Sequence, residues 1–291
     1  MLPTDSGRHR LIGIALVSGT TLCFALLDCG AKWLVRSLPV VEVVWLRFVA
    51  HVVFTAALFA PLHGWKLVRT RKPGLQAVRV AFMCLMTGFN FWALQYLQLA
   101  ETGAIQFTVP ILIALAGGPL LGERLDARRW AAILVGFAGV LVILRPGTQG
   151  FHPAMLVALA NACLYALFNL MTRHLAAYDA PEATQFLSAL GPALLLAPFA
   201  LAAWQAPGSA AEWAVACLVG IAGGLGHYFL ALAHRFAPAS VLGPFLYQQI
   251  VWMVLFGYAV FDDRPAGAVL AGAAVVIGSA LYLIARERRA R

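Results

Sequence analysis

Ten predominantly apolar runs follow one another along this chain, each close to the length of a membrane-crossing helix. They cover 11–35, 41–61, 75–97, 102–121, 127–145, 153–175, 181–203, 212–234, 238–261 and 266–285. A helix needs about 20 apolar residues to cross about 30 Å of hydrocarbon. The breaks between runs are short and carry turn or charge signals: Ser37-Leu38-Pro39, the polar stretch 63–74, Gly122-Glu123-Arg124, Pro146-Gly147, Asp179-Ala180-Pro181, Pro207-Gly208 and Asp262-Asp263-Arg264-Pro265. Strands of a membrane barrel would alternate over about 10 residues, whereas these runs are longer and continuous. The pattern predicts an all-α membrane protein with ten transmembrane helices, and no connection is long enough for a soluble domain.

Composition excludes the soluble alternative. Only 11% of the 291 residues are charged, whereas a soluble domain carries about a quarter. Such a chain cannot clothe a water-facing surface, so the lipid bilayer is its solvent. Cys23, Cys29, Cys84, Cys163 and Cys217 all fall within apolar runs and lack metal-ligand spacing. They are expected as small buried hydrophobes, with no metal, disulfide or cofactor implied. The apolar run from Leu11 outlasts a signal-peptide core and lacks a cleavage site, so it reads as an uncleaved first span.

Charge placement sets the orientation. Numbering the connections alternately, Lys32, Arg36, Arg145 and Arg264 fall on one side, and Arg47 lies inside the second span. The remaining 16 of the 21 Lys and Arg residues fall on the other side. The positive-inside rule then places both termini in the cytoplasm of a bacterial inner-membrane protein. The same asymmetry accounts for the net charge of +9 without a nucleic-acid partner.

One phrase occurs twice. "CFALLDCGAKWLV" at 23–35 returns as "LYALFNLMTRHLA" at 164–176, aligning Phe24 with Tyr165, Asp28 with Asn169 and Lys32 with Arg173. The copies lie in the first and sixth spans. An odd offset of five helices makes the second copy cross the membrane in the opposite sense. Glu123 and Asp262 are 139 residues apart, as are Gly139 and Gly278. These matches predict two inverted five-helix repeats, 1–146 and 147–291, a device of secondary transporters.

The stretch 100–143 resembles the end of an EamA domain at Pro110, Leu121-Gly122-Glu123-Arg124-Leu125, Gly136 and Gly139. The stretch 237–287 resembles its second copy at Pro244, Tyr247, Gln248, Phe261, Pro265, Gly272, Gly278 and Tyr282, with Asp262-Asp263 where Gly-Glu is commoner. The resemblance spans nearly the whole chain. It implies the drug/metabolite transporter superfamily, ten helices and alternating access around a central cavity. Within that superfamily the chain is similar to YddG-like amino acid exporters, and to relatives moving S-adenosylmethionine or riboflavin.

Polar residues inside the apolar runs are the site candidates, because a charge in hydrocarbon is costly. Asp28 and Lys32, at i and i+4 in the first span, are either an ion pair near the outer interface or a coupling site for a cation or proton. Arg47 and His51 follow at the same spacing in the second span. Arg47 needs a partner, Asp28 or Glu101, or else clamps a substrate carboxylate. Asn90 and Trp92 lie deep in the third span, where they would meet an amide or an aromatic ring. Asn161, Tyr165 and Asn169 give the sixth span a polar face, through helix–helix hydrogen bonding or cavity lining. His227, on the small-residue face of the eighth span with Gly220 and Gly224, is either structural or titratable. Pro110 and Pro244, with Gln106, Tyr247 and Gln248 nearby, interrupt the fourth and ninth spans in matching places. Such paired interruptions mark transport sites. The fifth and tenth spans read as scaffold.

Together these features favour a carrier over a channel or a membrane enzyme. No filter, nucleophile, metal or Walker motif is present. The expectation is a secondary transporter for small metabolites, amino acid export first, with uptake of a riboflavin- or S-adenosylmethionine-like compound as the alternative. Proton coupling through Asp28 and His227 is a further expectation. Nothing in the sequence sets an oligomeric state.

Overall fold

The computed structural model describes residues 7–121, 127–175, 177–237 and 239–289. Among them every regular element is helical. The order is α1 (Gly7–Leu34), α2 (Val40–His63) running into a 3-10 turn (Gly64–Val68), α3 (Pro73–Leu94), α4 (Leu99–Gln106), α5 (Val109–Leu121), α6 (Ala127–Leu144), α7 (Ala154–Leu175), α8 (Pro181–Ala202), α9 (Ala210–Phe236), α10 (Ala239–Leu246), α11 (Gln249–Phe261) and α12 (Gly267–Arg289).

Each expected span corresponds to a helix or to a pair of consecutive short helices. Seven segments are long and apolar enough to cross a membrane, and shorter apolar helices occupy Leu99–Ile113, Trp130–Leu144 and Gly267–Leu283. Local chemistry explains the ends. Pro73 and Pro181 open α3 and α8 at first-turn positions, where a missing N–H costs nothing. The Ser209 hydroxyl caps α9 by accepting from the Glu212 N–H at 3.2 Å. Asp262 ends α11 in the left-handed conformation at φ 55°, which a short polar residue tolerates.

The inside-out distribution identifies the solvent. Leu134, Leu141, Leu194, Phe199 and Leu255 stand exposed on the outside, while Asp28, Glu42, Arg47, His51 and Thr55 are buried within. An apolar exterior over this many helices fits a multi-pass membrane protein.

Helix packing is close to self-matching when α1–α6 and α7–α12 are interchanged. α1 packs on α9 as α7 packs on α3, and α2 on α9 as α8 on α3. α1 meets α10 and α11 as α7 meets α4 and α5. α2 pairs with α8, and α6 with α12. The α6–α12 contact needs glycine. A Cβ on Gly139 would stand 3.0 Å from the Gly272 carbonyl oxygen, and one on Gly272 would stand 2.7 Å from that of Gly139. Gly278, paired with Gly139 by sequence offset, instead faces open space. The Ser279 hydroxyl donates to the Ala132 carbonyl at 2.6 Å in the same seam.

Both interruptions are real, but they sit differently from the prolines. α4 gives way to α5 at Phe107-Thr108, and α10 to α11 at Tyr247-Gln248. The Thr108 N–H bonds back to the Ile105 carbonyl and the Gln248 N–H to the Phe245 carbonyl, tightening each break into a 3-10 turn. Pro110 follows its break, in the first turn of α5, whereas Pro244 precedes its break, inside α10. The prolines are therefore not equivalent. The breaks are, and the Phe107 and Tyr247 rings meet edge-on with centroids 5.1 Å apart.

Candidate functional site

A buried polar cluster forms where α1, α2, α3 and α9 meet. Asp28 on α1 is 8% exposed, and its Oδ1 accepts from Asn90 Nδ2 on α3 at 2.8 Å. Arg47 on α2 is 4% exposed and lies within electrostatic reach of Asp28. Its guanidinium carbon sits 4.2 Å over the Phe48 ring. Among the described residues Nε and Nη1 of Arg47 have no hydrogen-bond partner, nor has either ring nitrogen of His51. His51 is one turn further along α2 and stacks parallel to the His227 ring of α9, at 6.2 Å. Phe24 meets the His227 ring edge-on at 5.0 Å. A buried donor without a partner costs about 1–3 kcal/mol, so two on one guanidinium are a strong deviation from ordinary packing.

α9 can approach because its face is bare. A Cβ on Gly220 would lie 2.9 Å from the His51 backbone nitrogen, and one on Gly223 would lie 3.5 Å from Arg47 Nη2. The small-residue face read from the sequence thus seats the second span's polar pair.

An apolar cleft of about 510 Å³ lies between α2, α3, α7 and α8. Val40, Val41, Val44, Cys84, Gly88, Phe89, Trp92, Val157 and Leu196 line it. Its volume falls in the range of small-molecule pockets, roughly 300–1,000 Å³. Val40, Val44, Arg47 and His51 are spaced by three and four residues, so they lie along one face of α2. Val40 and Val44 line the cleft, while Arg47 and His51, further along the same face, are buried beyond its lining. Cys84 on the facing wall is also within electrostatic reach of Arg47.

Several sequence expectations meet different partners. Lys32 does not pair with Asp28. Its ammonium bonds the Leu97 carbonyl at 2.9 Å and Asp263 Oδ2 at 2.7 Å, with the Phe261 ring beneath at 4.9 Å. The Asp262-Asp263 turn is therefore anchored through Asp263 rather than left to solvent. Glu101 does not serve Arg47. It accepts from the Gln98 N–H at the start of α4 and lies 3.4 Å from Arg145. Trp92 parts from Asn90, since residues two apart point to different sides of a helix. Asn90 joins Asp28, while Trp92 lines the cleft and packs on Tyr96.

The remaining candidates form a second, milder tier near the helix breaks. Asn161 Nδ2 donates to Gln106 Oε1 at 3.1 Å, joining α7 to α4. Asn169 Nδ2 turns back to the Tyr165 carbonyl on its own helix at 2.7 Å. Tyr165 stacks near Phe168. The Ser18 hydroxyl donates to Gln248 Oε1 at 3.2 Å, and the buried Tyr247 hydroxyl has no partner among the described residues.

Arg79, which the sequence assigns to the charged cytoplasmic connections, is buried instead. Its Nε donates to the Thr172 hydroxyl at 2.8 Å, and Nη1 donates to the Thr184 carbonyl at 3.2 Å and to Ser188. Its position inside the apolar run 75–97 was the available signal. Ser18, Thr20 and Thr21 on α1 were missed, because hydroxyls hide easily in an apolar run. Among the described residues no group of three or more His, Cys, Asp or Glu could hold a metal ion. The Glu123-Arg124 motif lies outside the described residues.

The pattern of the EamA-like transporter family matches residues 11–145 and again 152–285. The chain belongs to the EamA-like transporter family. It is 28% identical to a riboflavin transporter of Vibrio cholerae, over 97% of this chain and 95% of that one. It is 30% identical to a riboflavin transporter of Rhizobium johnstonii, over 92% and 89%. An S-adenosylmethionine uptake transporter of Rickettsia felis is 26% identical, over 98% and 97%. A protein of known crystal structure shares the fold with a TM-score of 0.65 at 24% identity, covering 98% of this chain and 99% of its own.

Proposed function

We propose that this EamA-family transporter takes up a vitamin- or nucleotide-like metabolite with a flat ring and a polar edge, riboflavin foremost, across the bacterial inner membrane. The observation that carries this reading is the apolar cleft between α2, α3, α7 and α8, walled by Val, Phe and Trp side chains. A ring system fits those walls, and the buried polar cluster of Asp28, Asn90, Arg47 and His51 shares α2 and α3 with them. The relatives named for riboflavin and S-adenosylmethionine support uptake of such a compound over the amino acid export that residues alone put first.

S-adenosylmethionine is the second reading, favoured by the Rickettsia relative. It is a cation, and Asp28, the carboxylate of the buried polar cluster, is already engaged by Asn90 and faced by Arg47. That leaves little negative field for a sulfonium and ranks the neutral flavin first.

The transport cycle in this proposal is alternating access through a central cavity. Ten spans form two inverted repeats, 1–146 and 147–291, with both termini cytoplasmic and α6 and α12 as scaffold outside the cavity. The exchange of packing partners between α1–α6 and α7–α12 supports this. In it, the breaks at Phe107-Thr108 and Tyr247-Gln248 are the hinges beside Pro110 and Pro244. Asn90, Gln106, Tyr165, Asn169, His227, Tyr247 and Gln248 line the path with Trp92 at its mouth, and Asp28 and Arg47 carry its charge. Purified protein in liposomes, tested with labelled riboflavin, S-adenosylmethionine and amino acids, with and without a pH gradient, decides the matter. Saturable riboflavin flux is expected, and flux of amino acids alone would overturn the uptake reading.

A further inference from the structure

We infer that the turn after α2 seats an anionic phospholipid of the bilayer. One acyl chain lies in the apolar groove lined by Trp65, and Lys66 and Arg69 hold the headgroup phosphate. This seat is separate from the solute path and does not depend on which solute is carried.

The groove measures about 220 Å³. Ala60 of α2, Gly64, Trp65, Leu67 and Val68 of the 3-10 turn, and Phe186 of α8 line it. It falls below the range of small-molecule pockets, roughly 300–1,000 Å³, and suits a slender chain. Its floor is fixed, because Leu67 and Phe186 are buried together with Phe59. A 3-10 turn has three residues per turn, so side chains three apart eclipse. Gly64 and Leu67 form one row and Trp65 and Val68 another, and both rows line the groove. Lys66 and Arg69 fall on the third row, beside it. The Arg69 N–H bonds the Lys66 carbonyl at 3.3 Å and fixes their backbone.

Depth and charge choose the occupant. Leu58, Leu62 and Trp65, spaced four and three apart, carry one outward stripe of α2 into the turn, with Leu62 78% and Trp65 83% exposed. An apolar stripe that ends in Trp marks the boundary between hydrocarbon and headgroups. Beyond it Lys66, Arg69, Arg71 and Lys72 are exposed, and no Asp or Glu occurs between Glu42 and Glu101. Two of these cations are engaged by the connection between α7 and α8. Arg71 lies beside Asp179, which accepts from its N–H at 2.7 Å, and the Lys72 ammonium lies 4.8 Å from the Tyr178 ring. Asp179 is further occupied by Thr70 and Gln76. The side chains of Lys66 and Arg69 have no hydrogen-bond or ion-pair partner among the described residues. Two free cations beside an apolar groove at headgroup depth complement a phosphate carried on acyl chains. A zwitterionic lipid brings its own cation to the same place and cancels that attraction.

The test uses the full chain in non-ionic detergent, with phospholipids brominated on one acyl chain, whose bromines quench a tryptophan in contact. The share of quenching lost in Trp65→Phe reports the groove. Brominated phosphatidylglycerol reaches half-quenching of Trp65 at a concentration at least about fivefold lower than brominated phosphatidylcholine, since two cations meet its phosphate. Lys66→Gln combined with Arg69→Gln brings the two lipids to within about twofold of each other. Arg36→Gln combined with Arg264→Gln removes the same charge at the other end of the bundle and leaves the preference in place.

Equal half-quenching by the two lipids in the natural protein overturns the inference, whatever becomes of the variants. So does a preference that survives the loss of Lys66 and Arg69, or one lost equally with Arg36 and Arg264, which would be a diffuse field rather than a seat. Displacement of brominated phosphatidylglycerol by glycerol 3-phosphate at the same concentration overturns it in favour of a soluble phosphate. None of these outcomes bears on riboflavin flux, so this inference and the uptake reading fail separately.

Discussion

The ammonium of Lys32 lies 2.7 Å from a carboxylate oxygen of Asp263, across 231 positions of the chain, with both side chains largely buried. The pair, with the Leu97 carbonyl, ties the end of α1 to the turn after α3 and to the connection between α11 and α12. Breaking a buried pair by removing one partner strands the other charge. Lys32→Ala or Asp263→Ala alone is expected to cost about 3 kcal/mol, and the double variant less than the sum of the two. Thermal unfolding in detergent over the four proteins of this cycle measures the coupling, and strict additivity would refute it.

Asp28 and Arg47 compensate each other's charge inside the bundle. Asp28→Ala should therefore destabilise by about 3–5 kcal/mol, since Arg47 stays buried without a nearby carboxylate. Adding Arg47→Met to Asp28→Ala should recover most of that loss, because two apolar side chains of suitable volume replace the pair. Flux should not recover with stability. A stable double variant that transports at the original rate would remove Asp28 and Arg47 from the transport path.

Gly139 and Gly272 let α6 and α12 touch backbone to backbone. Gly139→Ala is expected to force the helices apart and cost about 1–3 kcal/mol, the usual scale of overpacking. Its KM for substrate should stay within about twofold, because neither helix lines the cleft. A large change in KM at unchanged stability would contradict the scaffold role of these helices.

Asp179, between α7 and α8, titrates outside the spans. Burial pushes its carboxyl up, but the Thr70 hydroxyl, the Arg71 N–H at 2.7 Å and the Gln76 amide at 3.0 Å outweigh burial and hold it below its ordinary value. A depressed carboxylate stabilises the fold above its unfolded pKa of about 3.9, and this contribution is lost as pH falls through the folded value. The melting temperatures of the natural protein and Asp179→Asn should therefore differ most above about pH 5 and converge below about pH 4. A gap that is constant across pH would show that the hydrogen bonds do not depend on the charge.

The helices and their order were legible from the sequence because hydrocarbon imposes one solution. Every backbone group must bond within its own segment, so an apolar run of 20 residues is a helix whatever surrounds it. The broken spans were legible as well, since Pro110 and Pro244 advertise them. The exact residues of the breaks were not, because a 3-10 turn forms where neighbouring helices permit it, a few residues before or after the proline. Asp28, Arg47, His51 and His227 were visible as polar residues out of place, and their meeting at one point was not.

What the sequence by itself determined is everything that depends on period, length and composition: helices, their number of apolar runs, the recurrence of one phrase, and the solvent being lipid. What only the tertiary structure decided is partnership. Lys32 found Asp263 instead of Asp28, Glu101 found Arg145 instead of Arg47, and Arg79 satisfied its donors while Arg47 did not. The physical reason is range. The hydrophobic term acts on each residue separately and is written along the chain. Hydrogen bonds and ion pairs act over about 3 Å, and only packing brings residues from distant parts of the chain that close.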